Sequence, residues 1–150
     1  INTTSLTTTD LKRHMLNLFA EDGGRKAMII SINTFGFKHG IPHASDLVFD
    51  VRFLQNPYYV PELRDKTGFD RSVYDYVFSF PAADTFCMKL RDMLEFLIPQ
   101  YIREGKNSLV ISIGCTGGHH RSVSVGRRLL HDLESMGYDA VIRHRDVDKL

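Results

Sequence analysis

Long hydrophobic runs, cysteine pairs and an excess of either charge are all missing from this sequence, and each absence removes a class of protein. No apolar stretch approaches the ~18 residues that cross a bilayer, and the opening residues do not read as a signal peptide. No membrane partner is expected, and the cytoplasm is the default location. Cys87 and Cys115 are the two cysteines; they form neither a C-x-x-C pair nor a disulfide framework, which suits a reducing compartment. Formal net charge is +1, so nucleic acid finds no global attraction and must be recruited by a local patch. Internal repeats, low-complexity tracts and interior linkers are absent as well.

What is present describes one ordinary domain. With 150 residues, 43% apolar and 25% charged, the chain can bury roughly two thirds of its unfolded surface without a disulfide or metal staple. Thr8, Thr9 and Asp10 are acceptable caps for a helix carrying Leu11, Met15, Leu18 and Phe19, stopped by Gly23-Gly24. Lys26 to Asn33 is an almost unbroken apolar run, expected as a strand covered on both faces, and Leu47 to Phe53 as a second, shorter strand. A long irregular stretch punctuated by Asn56-Pro57 and Val60-Pro61 follows, a surface segment of the kind that carries function.

The second half has the clearer pattern. Helices are expected over Arg71 to Phe78 and from about Pro81 to Glu104, with Pro81 suited to a helix start and Pro99 expected to kink or end the second. Ser108 to Ile113 reads as a buried strand, His119 to Met136 as a helix, and Tyr138 to His144 as a last strand. A strand, loop, helix and strand in this order imply a parallel pair. The fold class is therefore α/β: a single domain with a mostly parallel sheet and flanking helices.

The chemistry gathers where strand turns into helix, at Gly114-Cys115-Thr116-Gly117-Gly118-His119-His120-Arg121-Ser122. A turn of this kind points backbone N–H groups outward beside the positive end of a helix dipole, which is an anion site. Gly117 and Gly118 permit close approach, Thr116 and Ser122 add hydroxyls, and Arg121 offers a planar fork for two phosphate oxygens. His119 and His120 complete the set; three imidazoles, these two and His144, lack the carboxylate or thiol spacing of a metal site. The spacing Cys115, Gly118, Arg121, Ser122 also matches C-x-x-G-x-x-R-S, the signature of cysteine-dependent phosphatases, in which a thiol beside an arginine attacks phosphorus. That alternative would make Cys115 and Arg121 catalytic. Position 114 is Gly where those phosphatases usually carry His, and no general acid stands out among Asp46, Asp50 and Asp146.

Four ordered segments carry a wider likeness: Phe35-Gly36-Phe37-Lys38-His39-Gly40-Ile41-Pro42; Phe49 to Leu54 with Asn56-Pro57; Gly114 to Val123; and Arg143-His144-Arg145-Asp146. Together they resemble the C-terminal half of the RapZ family, also described as UPF0042 P-loop nucleotide-binding proteins. The resemblance implies that residues 1–24 are a linker and helix following an N-terminal P-loop domain, and that 25–150 form a ligand- and RNA-binding domain. No G-x-x-x-x-G-K-[ST] occurs here, so ATP or GTP is expected in that N-terminal domain and no cofactor in this one. By the same analogy the ligand is a phosphorylated small molecule such as an amino-sugar phosphate, with RNA and an endoribonuclease as partners and no catalysis by the domain itself. Departures from the family pattern are Gln55 before Asn56-Pro57, Tyr58 and His119 at positions where members often carry His and Lys or Arg, and a C-terminus without a basic tail.

Other residues are weighed on their own chemistry. Lys38 and His39, in a Gly-flanked loop after a strand, are expected to close over the same anion. Arg52, inside an apolar segment, either pairs with Asp50 or another carboxylate or reaches the anion. Arg127, Arg128, Arg143 and Arg145 are the candidate RNA contacts, although helical arginines more often form a solvated face. Cys87, between Phe86 and Met88, belongs to the core. Tyr58 and Tyr59 suit the edge of a homo-oligomer or a stacked base.

Overall fold

The computed structural model describes residues 28–150. The helix expected at 8–19, and with it the assignment of residues 1–24, lies outside them. Four strands form one sheet: β1 (Ile29–Gly36), β2 (Leu47–Asp50), β3 (Ser108–Cys115) and β4 (Ala140–His144). Their order is β2-β3-β1-β4 and every pairing is parallel. Three α-helices accompany them among the described residues: α1 (Arg71–Phe78), α2 (Pro81–Glu104) and α3 (Arg121–Ser135). The α/β class and the parallel sheet are as the strand-helix-strand pattern requires.

The core lies on one side of the sheet. Ile30 and Ile32 of β1 and Leu109, Ile111 and Ile113 of β3 pack against Val77 of α1, Cys87, Leu90, Leu94 and Ile98 of α2, and Val125, Leu129 and Leu133 of α3. Period-two alternation in the strands meets period-3.6 spacing in the helices, and burying large aliphatic side chains contributes roughly 1.5–3 kcal/mol each. Burial pushes the Cys87 thiol up to about 12, so it remains a protonated core side chain. The opposite face is more open than the apolar run at 26–33 led us to expect, because Ile29 of β1 and Val141 of β4 are both 62% exposed. The run is apolar throughout, yet only alternate residues face the helices.

Several boundaries shift. β1 runs on to Gly36, three residues past Asn33, because β3 supplies partners as far as Gly36↔Cys115. β2 stops at Asp50, and β4 begins at Ala140 rather than at Tyr138. α2 runs through Pro99 without ending, closing at Gly105, whose φ of +107° turns its N–H back to the Ile102 carbonyl. Buried Ile98 and Ile102 on either side of the proline hold the last turns against the sheet, offsetting the hydrogen bond that Pro99 cannot donate.

Candidate functional site

The carboxyl ends of β1 and β3 lie side by side, which brings the two glycine-bearing loops together. The β3 loop, Thr116 to His120, runs directly into α3 at Arg121. Its packing leaves no room for side chains at three positions. A Cβ on Gly36 would sit 2.4 Å from the Gly117 carbonyl carbon, one on Gly118 would sit 2.7 Å from the Gly36 nitrogen, and one on Gly114 would sit 2.5 Å from the Phe35 ring. Gly118 also has φ +82°, a conformation that other residues rarely adopt.

Asp146 fixes this junction. Its carboxylate is fully buried and accepts the Gly36 N–H at 2.8 Å, and it pairs with Arg145 at 2.8 Å and Lys149 at 2.9 Å. Burial alone would raise its carboxyl, but the hydrogen bonds from Arg145, the Gly36 amide and Lys149 outweigh that and hold it well below the usual carboxylate range.

The loop spends three of its carbonyls on the rest of the protein. Thr116 O accepts from Lys38 N at 3.3 Å, His119 O from Gly68 N at 2.8 Å, and His120 O from Ser124 N at 3.0 Å. Its amides are left unspent: among the described residues no acceptor receives the N–H of Thr116, Gly117, Gly118, His119 or His120. Donors without an acceptor at the start of a helix are the arrangement that binds negative oxygens.

Arg121 reaches the same place from the first turn of α3, with only 5% of its surface exposed. Nη1 donates to the carbonyls of Arg52 at 2.7 Å and Leu54 at 3.2 Å, and Nη2 to Thr116 Oγ1 at 3.3 Å. Nε is buried and has no partner among the described residues, and none of their carboxylates forms an ion pair with this guanidinium. A buried charge in that condition is costly until an anion completes it.

The neighbouring side chains divide by role. Ser122 is buried, and its hydroxyl accepts from Cys115 Sγ at 3.2 Å. His120 is buried against the Arg64 carbonyl, 3.1 Å from Nε2, and burial lowers its pKa, so it is a neutral donor. His119 contacts the Lys149 carbonyl through Nε2. Thr116, Gly117, His119, His120 and Arg121 line a cleft of about 720 Å³ together with Lys38 and Cys115.

Not every residue singled out from sequence lines that cleft. Arg52 takes the first of its two alternatives: its guanidinium binds both carboxylate oxygens of Asp50, the closest contact 2.6 Å, and lies 4.0 Å from the centre of the Phe37 ring. Its contribution to the cleft is the carbonyl that holds Arg121. His39 is not among the lining residues, although its Nε2 is buried and unpartnered among the described residues. Of the four arginines assigned to RNA, three are engaged by the protein itself. Arg127 donates to the Gly68 carbonyl at 2.6 Å, Arg128 pairs with Asp84 and Asp132, and Arg145 holds Asp146 and the Gly40 carbonyl. Arg143 is exposed on β4.

Other lining residues come from elsewhere in the chain. Tyr58 and Tyr59, read from sequence as an oligomer edge or a base-stacking pair, line the cleft, and with them Arg64, Asp65 and Lys66 of the same irregular segment and Asp148 and Lys149 from further along the chain, which sequence reasoning passed over. Only the length of that irregular stretch pointed to Arg64, Asp65 and Lys66. It is tied to the loop by the Gly68 to His119 and His120 to Arg64 hydrogen bonds, which no local pattern announces.

A family model described as the RapZ C-terminal domain matches residues 28–148. A "Nucleotide-binding protein" of Alkaliphilus oremlandii is 53% identical over 146 residues, covering 97% of this chain and 50% of its own length. Proteins with the same name from Lachnoclostridium phytofermentans and Agathobacter rectalis are 52% and 53% identical, each aligned over 99% of this chain and 52% of their own length. The chain thus spans about half the length of the curated relatives it matches. With a match that runs over nearly every described residue, including both glycine loops and Arg121, this chain belongs to the RapZ C-terminal domain family.

Proposed function

We propose that this domain is a regulatory binding module whose β3–α3 loop holds the phosphate of a small phosphorylated molecule, an amino-sugar phosphate being the leading class. The observation that carries the reading is the buried Arg121 guanidinium, with an unpartnered Nε and no ion-paired carboxylate among the described residues, beside a row of unspent amides. A dianionic phosphate supplies acceptors for both, and charge-assisted bonds of this kind are about twice as strong as neutral ones. Lys38, Arg64, Lys66 and Lys149 add positive charge around the cleft, while Asp65 and Asp148 offer acceptors for an ammonium or sugar hydroxyls.

In this proposal nucleotide binding belongs to the part of the longer relatives that the present chain does not span, with ATP or GTP as its ligand. RNA, a ribonuclease partner, a homo-oligomeric state and a cytoplasmic location accompany the proposal as expectations from the family. Among the described residues no helix is long and apolar enough to cross a membrane. RNA has the thinner support of the two ligands, since Arg127, Arg128 and Arg145 are already committed within the fold.

Thermal unfolding tests the reading, because a ligand that binds only the folded state raises Tm. Glucosamine 6-phosphate and inorganic phosphate at roughly a hundred times Kd stabilise by about 2.7 kcal/mol, whereas glucosamine and an unstructured RNA oligonucleotide serve as comparison arms. If no phosphorylated compound moves the wild-type transition, the cradle is not an anion site.

A further inference from the structure

Cys115, at the end of β3, is left without a task by anion binding. It ends β3 beneath the loop, it lines the cleft, and its Sγ lies 3.2 Å from the Ser122 hydroxyl. Five residues separate it from Arg121, whose buried Nε has no partner among the described residues. The thiol and the guanidinium thus line the same cleft as Thr116, Gly117, His119 and His120, whose amides meet no acceptor among the described residues. In the arrangement needed for in-line attack, the amides and the fork carry the phosphate oxygens while the sulfur faces phosphorus.

We propose that Cys115 is a phosphoryl acceptor, so that the cradle turns over phosphate monoesters by way of a phosphocysteine. The inference rests on the anion-binding reading and adds a reaction to it. The Cys115 thiol first gives its proton to water, and the Ser122 hydroxyl, now the donor, holds the thiolate. A sulfur lone pair then forms the S–P bond as the ester P–O bond breaks; the P–O pair leaves with the alcohol oxygen, which takes a proton from water. A second water attacks phosphorus, the new O–P bond forms, and the S–P pair returns to sulfur, which is reprotonated. The sum is ester plus water giving alcohol plus inorganic phosphate. Arg121 and the amides of Thr116, Gly117, His119 and His120, all of them residues that line the cleft, meet the charge that spreads over the equatorial oxygens.

The test uses the 150-residue chain and p-nitrophenyl phosphate, with two readouts: release of p-nitrophenol, and the intact mass after rapid quenching, mapped by peptide. The expected result is turnover by wild type with a single added phosphoryl group on Cys115. Cys115→Ser should lose both while keeping the Tm rise caused by inorganic phosphate, and Arg121→Ala should lose all three. Absence of turnover and of adduct in a wild type that phosphate still stabilises overturns the inference and leaves the binding reading standing. Absence of the phosphate-induced Tm rise as well overturns both. Turnover that survives in Cys115→Ser, with no mass added to the wild-type cysteine, also overturns it.

Discussion

Arg121 Nη1 donates to the main-chain carbonyl of Arg52 at 2.7 Å, while Arg52 commits its own guanidinium to Asp50. One arginine is thus positioned by the backbone of another whose charge is already neutralised. The arrangement fixes the orientation of the Arg121 fork without cancelling its charge, which leaves Nε and the positive field for a ligand.

Removing that fork separates charge from geometry. Arg121→Lys keeps a cation and loses the planar donor pair, so phosphate affinity should fall at least about tenfold. Arg121→Ala should fall roughly a hundredfold, about 3 kcal/mol. The alanine variant also strands the carbonyls of Arg52 and Leu54, at a cost of about 1–3 kcal/mol in stability. Calorimetric titration with inorganic phosphate alongside denaturant melts measures both, and equal affinity for wild type and Arg121→Ala would remove Arg121 from the site.

Gly36 is the most crowded glycine of the junction, and the atoms against it are backbone. A methyl group there would meet the Gly117 carbonyl carbon and oxygen at 2.4 and 2.5 Å, which no rotamer change relieves. Gly36→Ala is expected to cost about 1–3 kcal/mol and to weaken phosphate binding by displacing the loop. Substituting Gly40, around which a Cβ finds open space, is the control; it carries only the strain of φ +87°. An unchanged Tm and affinity for Gly36→Ala would mean that the two loops are not in contact.

Acidification should weaken the fold in two steps. Burial lowers the pKa of both His120 and His144 below the ordinary 6.5, so the unfolded chain takes up protons first. Their contribution is complete above 6.5 and is lost as pH falls through that value toward the folded ones. Asp146, held low chiefly by Arg145 and the Gly36 amide against the opposing effect of burial, contributes fully above its ordinary 3.8 and loses that contribution as pH drops further. Urea midpoints measured from about pH 8 down to about pH 2 should therefore decline from near neutrality onward; a midpoint that rises or stays level between about pH 7 and 5 contradicts the sign.

Pro99 is an interior break that α2 tolerates. Pro99→Ala restores an N–H able to reach the Glu95 carbonyl and removes the ring that crowds it, so a gain of about 1–3 kcal/mol is expected. For a domain of this size that is a Tm higher by several degrees. A lower Tm would show that the half-buried ring packs better than an alanine can.

How much was legible in the sequence varies by element. α1 and α2 coincide with the spans expected from spacing and from Pro81, because helix periodicity and capping are local. The strand ends moved, since a strand extends as far as a neighbour offers partners: β1 gains Thr34 to Gly36 only because β3 runs to Cys115 beside it. In the site, Arg121 and the glycines could be picked out because nine consecutive residues concentrate donors. Arg64 and Lys66 could not, because their relation to the loop is made by distant parts of the chain, as in the His120 contact with Arg64 at a separation of 56, and the part Asp146 plays at Gly36 spans 110 residues.

The order of residues from Gly114 to Ser122 was enough by itself to determine an amide-rich turn at a helix start with an arginine in its first turn, because those features are set within a single strand-to-helix connection. Whether the amides and the guanidinium stay free was decided only by tertiary packing. Carbonyls of Arg52, Leu54 and Thr116, the buried carboxylate of Asp146 and the close seating of Gly36 on Gly117 take up the loop's other bonding capacity. A donor becomes available to a ligand when its own protein offers it no acceptor, and that is a property of the whole fold rather than of any stretch of chain.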